Sequence, residues 1–442
     1  MNKITATAGL VAIGAASVQA QIYAPSPGSQ EATKPWTISA TLRGFYDDNY
    51  TTSASHLERD SVGFEVSPSA ALNLIRDQTA LGLSYAYSAR WYEDRDEDSW
   101  DHSHQINGKL SHAFTPRFKI DLSDSFVIAQ EPELIEPAGA GVTSTGLRSE
   151  GDVLRNHALG SFSAGITENL TAVIGYANEY YDYENEGFNS RSAHLDRMEH
   201  LASLNLRAVV LPKTVVVGGY NYEIVDYSSD DRIGTGFFNY PAEERNSTSH
   251  YLYAGVDQGL TPTLNLSARV GAQYTEYDDI DVIRDIYAFF GSEAEEDQWT
   301  PYVDANATWL YMPGSYAQLG FRHQRAQTDV GFALTPTGDF IPNLDAQSSS
   351  IYGSVNHRIF GALSAAAIAS YQHNEYDNEG FESFGEDYFM AGINLTYDLN
   401  RYLALEAGYN YDWLDSEVDD APGPDSRSYK RNRVYVGVRG TY

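Results

Sequence analysis

Over residues 432–442 (NRVYVGVRGTY) apolar and polar positions alternate. Val434, Val436, Val438, Gly440 and Tyr442 share one face of an extended chain, and Arg433, Tyr435, Gly437, Arg439 and Thr441 share the other. Alternation of period two reads as a half-buried strand. An amphipathic edge strand of a soluble sheet shows the same pattern, so recurrence decides. The pattern does recur, in runs of about ten residues. Very short turns (75–78, 115–117, 167–169, 211–213, 261–263, 313–315, 359–361, 399–401) alternate with long, polar, acidic segments (47–60, 93–101, 129–153, 183–196, 227–247, 277–297, 327–347, 377–386, 415–430). Pro, Gly, Asn and Asp supply the turn dihedrals. Eight short turns and nine long segments predict about 18 strands, with both termini on the short-turn side.

The strand leaving each short turn has a recurring order of residues. Segments 81–98, 172–187, 215–231, 365–380 and 403–420 begin apolar, pass through Gly and Ala, become Tyr-rich and end in carboxylates. That order suits a strand that crosses hydrocarbon, reaches the headgroup level where aromatic rings sit, and enters water. Tyr85, Tyr87, Trp91, Tyr176, Tyr180, Tyr220, Tyr222, Tyr371, Tyr409, Tyr411 and Trp413 are expected in the girdle at the long-loop end. Trp36, Phe114, Phe118, Trp309, Tyr311, Tyr397 and Tyr442 are expected in the girdle at the short-turn end. A strand that is apolar outward, polar inward and ends the chain on an aromatic residue closes a membrane barrel. The predicted fold class is therefore all-β, a transmembrane antiparallel up-and-down β-barrel of about 18 strands. The repeat, roughly 45 residues, also fits a β-propeller. A propeller blade needs four strands, however, and each period here holds two.

The start of the chain agrees with its end. Lys3 precedes a short apolar stretch, 4–16, and Val18-Gln19-Ala20 is a small-x-small cleavage site. Residues 1–20 are expected to be a signal peptide, 21–35 a short polar periplasmic segment, and 36–442 the barrel. No stretch is long and apolar enough for a transmembrane helix. The chain has no cysteine, which excludes disulfides and thiolate metal sites and suits passage through an oxidising periplasm.

Composition refines this picture. Tyr (33) and Gly (36) are abundant, and the polar mean hydropathy is that of strands showing lipid only at every second residue. A net charge of −32 excludes a nucleic-acid binder resting on basic patches. If the apolar register faces lipid, the other lines the lumen. It carries Arg43, Glu65, Arg90, Arg207, Glu223, Arg269, Asp304, Arg322, Arg358, Glu406, Arg433 and Arg439, together with Lys109, Asp121, Glu179 and Asp257. Such a wall is wetted, and opposite charges across strands are expected to pair. The acid lies in the long loops, for example 93–98 and 277–297. Hard divalent cations could bind there and bridge to anionic headgroups, but no spacing names a metal site, and a solvated acidic rim explains the loops as well. Either way the mouth should favour cations mildly at low salt.

Catalytic signals are weak. No Gly-x-Ser-x-Gly elbow, His-Glu-x-x-His or Walker loop occurs. His102 and His104, alternating near acidic residues, are the one pair an outer-membrane hydrolase could use. Neither an enzyme nor a cofactor is expected.

With the apolar strand containing Ala407-Gly408-Tyr409, the acidic loop from Asp415, and the run Arg431-Asn432-Arg433-Val434-Tyr435-Val436-Gly437 in view, segment 401–442 resembles an outer-membrane β-barrel porin family. This is the exopolysaccharide-associated, 18-stranded barrel type. The resemblance implies an outer-membrane channel and, for some relatives, the outer-membrane barrel of a polysaccharide secretion line working with a periplasmic export protein. Val434, Val436, Val438, Gly440 and Tyr442 look like the signal read by the barrel-assembly machinery. The leading expectation is a passive channel for small hydrophilic solutes in a Gram-negative outer membrane, embedded in lipid and lipopolysaccharide. Two alternatives stay open. An export barrel would present Tyr251, Tyr253, Tyr302, Tyr352, Tyr388, Tyr402 and Tyr435 for sugars to stack on. A closed structural or adhesive barrel would use its acidic loops.

Overall fold

The computed structural model describes residues 35–54, 57–95, 99–129, 152–334, 340–376, 383–417 and 427–442. The expected signal peptide, most of 129–153 and the acidic residues 96–98 lie outside them. Eighteen strands form one antiparallel sheet: β1 (Trp36–Asp47), β2 (Ser61–Arg76), β3 (Thr79–Tyr92), β4 (Trp100–Thr115), β5 (Phe118–Ala129), β6 (Val153–Gly165), β7 (Leu170–Tyr183), β8 (Arg197–Leu211), β9 (Thr214–Tyr227), β10 (Ser247–Gly259), β11 (Leu264–Tyr277), β12 (Asp297–Met312), β13 (Ser315–Ala326), β14 (Ala346–Phe360), β15 (Leu363–Tyr376), β16 (Phe384–Asp398), β17 (Leu403–Ser416) and β18 (Tyr429–Thr441). Each strand pairs with its chain neighbours. β18 returns to β1, from Ser39↔Thr441 to Asp47↔Arg433, and closes the sheet. The backbone groups of the first and last strands thus find partners in each other, as hydrocarbon requires.

All eight short turns fall where the sequence places them, and four share one device. Thr115, Thr167 and Thr261 each accept, on the side-chain hydroxyl, backbone N–H groups two and three residues on, and the Asn400 amide oxygen does the same. This is the side-chain mimicry of a backbone turn that makes Thr and Asn turn residues.

The alternation fixes the faces. Val434, Val436 and Val438 stand 46%, 66% and 37% exposed, whereas Tyr429, Arg431 and Arg433, one residue out of step, are buried. Only on a concave face do side chains cover one another in this way, so the apolar register faces outward. Both aromatic sets project from it, and Trp36 meets Tyr442 across the seam with ring centroids 5.8 Å apart. Several outward Tyr hydroxyls of the long-loop girdle bond His rings on the next strand, as in Tyr176–His200 and Tyr220–His250, both at 2.7 Å. His102 and His104 belong to this girdle, bonded to Tyr87 (2.7 Å) and Tyr85 (2.9 Å) on the outer surface.

One register test follows. Val436, outward between Gly44 and Ala407, cannot accept Arg without a cost of about 2–4 kcal/mol at the midplane. Val436→Arg should lose the heat-modifiable folded band in gels. Arg439→Ala should keep it, because Glu406 retains Arg43. Equal bands from both variants would mean that the two faces are exchanged.

Candidate channel interior and mouth

Arg43, Glu65, Arg90, Arg207, Glu223, Arg269, Asp304, Arg322, Glu406, Arg433 and Arg439 all take the inward register, and most of them are brought together in pairs. At the seam a network crosses five strands. Arg90 reaches Glu65 at 3.1 Å, Glu65 meets Arg43 at 3.4 Å, Arg43 meets Glu406 at 2.7 Å, and Glu406 also holds Arg439 at 3.0 Å. Arg43 on β1 reaches Glu406 on β17 by passing over β18. Gly437, opposite both residues, leaves it room; a Cβ there would lie 2.6 Å from the Arg43 Cγ. Nearer the loops, Asp47 accepts from Arg431 (2.6 Å) and Arg433 (2.7 Å), and Arg433 also donates to the Tyr92 hydroxyl at 3.2 Å. Asp47 and Arg431 are almost wholly buried, so Arg433 fastens the seam rather than standing open to water.

The far wall is also charge-balanced. Arg207 and Arg269 both hold Asp257 at 2.6 Å, and Arg322 holds Asp304 at 3.2 Å. Glu223 accepts the Tyr251 hydroxyl, and Glu179 accepts the Tyr181 hydroxyl at 2.6 Å. Arg358 shares the inward register but lies at the short-turn rim, where its guanidinium donates to the Gly361 carbonyl. The wall is therefore polar, and most of its charges are held in ion pairs.

The tyrosines divide. Tyr253, Tyr352 and Tyr435 lie flat across the glycines opposite them, Gly219, Gly320 and Gly408, where a Cβ would come within 2.3, 2.1 and 2.2 Å of the rings. Tyr302 packs on Tyr253 with centroids 5.5 Å apart. These four line the interior. Tyr251 and Tyr388 are buried, the latter among Met390, Leu414 and Tyr429. Tyr402 faces away from the lumen altogether: it lies in a short turn and stacks on Tyr442 at 6.3 Å, because its parity belongs to the turn and not to a strand.

Segment 327–347, with Phe332 and Phe340, is apolar enough by sequence to constrict the pore, and the mouth adds a helix and inter-loop ties that local reading does not show. The loops after β7, β9, β11 and β13 fold on one another around a shared apolar core that includes Ile233, Tyr240, Ile283, Tyr287, Phe340 and Ile341. The segment read as a purely acidic loop, 277–297, contains a helix, α1 (Asp281–Phe290), whose Ile283, Ile286 and Tyr287 face that core. Its N-terminus is capped from another loop, since Glu244 accepts the N–H groups of Val282 (3.0 Å) and Ile283 (2.8 Å). Burial pushes the Glu244 carboxyl up despite these bonds. Gly291, in the left-handed region at φ 81°, ends the helix. Loop carboxylates Asp281 and Glu296 are both taken by Arg284. Among the described residues no three acidic or His side chains converge as metal ligands.

Arg245 is the pin of this assembly. Fully buried, it donates to three carbonyls in two other loops: His194 (2.8 Å), Leu344 (3.0 Å) and Thr328. It also lies 4.7 Å over the Tyr227 ring. Burial, with Arg245 beside it, holds His194 down to about 3, so its ring stays neutral. The Tyr240 hydroxyl meets Gly331 and Asn343 carbonyls, again in the loop after β13. From the other side Arg427, in the loop before β18, joins Asp329 (3.0 Å) and Glu386 (2.8 Å). Strands β8 and β13 stand five apart on an 18-strand rim, so contacts between their loops run along a chord. The loop after β13 therefore crosses the mouth, carrying Phe332 and Phe340 stacked at 4.9 Å.

Residues 344–442 match the family described as "Putative beta-barrel porin 2". The match covers β14 to β18, and so contains Glu406, Arg431, Arg433 and Arg439 of the seam. Among solved structures the porin-like barrel is similar to the outer membrane protein OpdK from Pseudomonas aeruginosa, at 11% identity and TM-score 0.44, covering 92% of this chain and 99% of that one. It is also similar to a BenF-like porin from Pseudomonas fluorescens, at 11% identity and TM-score 0.44 with the same coverage of 92% and 99%. Acinetobacter baumannii OccAB3 gives 13% identity and TM-score 0.40, covering 92% and 99%. No curated protein matches the chain. Apolar outside, polar within and closed by its own last strand, the chain is a porin-like outer-membrane barrel.

Proposed function

We propose that the protein is a passive outer-membrane channel for small hydrophilic solutes, mildly cation-favouring, whose mouth is narrowed by folded loops. It acts as a channel and not as an enzyme. The observation that carries this reading is the inner wall, polar along its height and lined with neutralised ion pairs. Such a wall solvates a water column without holding one ionic species tightly. The cation preference comes from the acidic loops around the mouth, whose potential acts on entering ions at low salt. The test is single-channel conductance of the refolded barrel in a planar bilayer under a salt gradient. A steady conductance with a reversal potential of cation sign supports the reading, and a correctly folded barrel that passes no ions overturns it.

Tyr253, Tyr302 and Tyr352, aligned on one wall, favour a second reading, the outer-membrane barrel of an exopolysaccharide line with a periplasmic export partner. A deletion strain that still secretes normal polysaccharide would exclude it.

A further inference from the structure

Most carboxylates of the inner wall face a guanidinium, but the patch below the loops after β7 and β9 has one carboxylate to spare. Glu179 and Glu199 stand directly opposite each other on β7 and β8. Glu223 follows on β9, opposite Leu201. Like charges directly opposite across a sheet are destabilising, and cations offset the first pair. Arg197 holds Glu199 at 2.7 Å; Arg155 lies 3.8 Å from Glu179, which also meets the His157 ring at 2.7 Å. Glu223 has no cationic partner among the described residues. The Tyr251 hydroxyl bonds its Oε2, and its Oε1 has no donor from the protein. The next arginine along β8, Arg207, lies six residues below Leu201, roughly 20 Å along the strand. It is already committed to Asp257 at 2.6 Å.

Beside this carboxylate the wall is aromatic. The Tyr251 ring meets Tyr302 edge-on with centroids 5.4 Å apart, and Tyr302 meets Tyr253 at 5.5 Å. Tyr253 is fixed in turn, lying over Gly219 with its hydroxyl on Asn205 at 2.8 Å. Tyr251 is buried, whereas Glu223, Tyr253 and Tyr302 are half-buried and keep a side to the lumen. Thr300, two residues from Tyr302 on the same inward face of β12, is 2% exposed, and its hydroxyl has no hydrogen-bond partner.

We infer that Glu223, with Tyr251, Tyr253 and Tyr302, is a binding station for organic ammonium ions inside the lumen. The inference rests on the channel reading for a wetted lumen, and it names one class of solute. An ammonium centre supplies the charge that this patch lacks and sits at Oε1. Its alkyl groups then lie on the open faces of Tyr253 and Tyr302, where the ring quadrupole attracts cations. A neutral sugar could use the rings but would leave the extra carboxylate uncompensated. The station is open on its lumenal side, so a bound ion can leave again, as conduction requires.

The test is a choline titration of the refolded full-length barrel in polyoxyethylene detergent micelles, followed by saturation-transfer NMR of the choline methyl groups. Choline should bind, and glucose should neither bind with similar affinity nor displace it. Glu223→Gln keeps an acceptor for Tyr251 and removes the charge, and should weaken binding at least about ten-fold. Tyr302→Leu keeps the charge and removes a ring, and should weaken it about three-fold or more. Asp281→Asn, at an exposed carboxylate of the mouth, should leave the affinity within about two-fold. The heat-modifiable band verifies that each variant is folded. Unchanged affinity in Glu223→Gln or in Tyr302→Leu overturns the inference, as does an equal loss in Asp281→Asn or equal binding of glucose. Binding in micelles needs no conduction, so the two readings fail separately. A barrel that binds choline and passes no ions sinks the channel alone, and one that conducts without binding choline sinks the station alone.

Discussion

Asp47→Ala should lower the thermal midpoint of the folded barrel more than any other single change at the wall. Asp47 stands between Arg431 and Arg433 at the top of the seam and accepts from both, and the three side chains are buried together on strands that begin and end the barrel. Breaking a buried pair by removing one partner costs about 3–5 kcal/mol, because the remaining charge has no compensation. Two buried guanidinium groups would each lose a carboxylate partner, at the strand pair that closes the barrel. The folded band in gels should then disappear at a lower temperature, and refolding yield should fall. Because much of the penalty is stranded charge, Asp47→Ala combined with Arg431→Met and Arg433→Met should recover most of the loss. If Asp47→Ala melts with the wild type, backbone pairing alone holds the seam and the clamp is incidental.

The second large effect concerns the mouth. Arg245→Ala removes donors from three carbonyls in two loops and empties the space over the Tyr227 ring. Hydrogen bonds to a charged group contribute about 1.5–3 kcal/mol each, and the bonds here are cooperative because all radiate from one side chain. The barrel itself should keep its stability, since Arg245 touches loops and not the seam. The loop after β13 should instead become cleavable by added protease, and unit conductance should rise several-fold with larger solutes admitted. Cleavable loops with unchanged conductance would show that the loop crosses the mouth without narrowing the path. Loops that resist protease in Arg245→Ala would show that the apolar core of the mouth is sufficient by itself.

These two sites were not equally legible. The seam was half visible: Arg433 and Arg439 declare their register by alternation with Val434, Val436 and Val438. Their partners Asp47 and Glu406 come from other strands, and only closure shows that Arg43 passes over Gly437 to reach Glu406. The mouth was visible only in the apolar content of 327–347, with Phe332 and Phe340. The spacing of Ile283, Ile286, Tyr287 and Phe290 is helical and could have revealed α1, but the surrounding carboxylates made the segment look like a solvated loop. Nothing local to Glu244 or Arg245 signals that one caps a helix and the other ties loops about 50 to 100 residues away. Tyr402 was misplaced because a turn residue has no strand parity.

The sequence by itself determined the strand number, the turn positions, which face of each strand meets lipid, and the heights of the aromatic girdles. These are consequences of a period-two pattern read against a slab of hydrocarbon, and both are local along the chain. The tertiary structure alone decided which charges neutralise one another, which tyrosines are covered, and that four loops share one core across the mouth. Those outcomes depend on inter-strand register and on loops meeting along chords of the rim. Such contacts join residues tens to hundreds of positions apart, and no short window of sequence contains both partners.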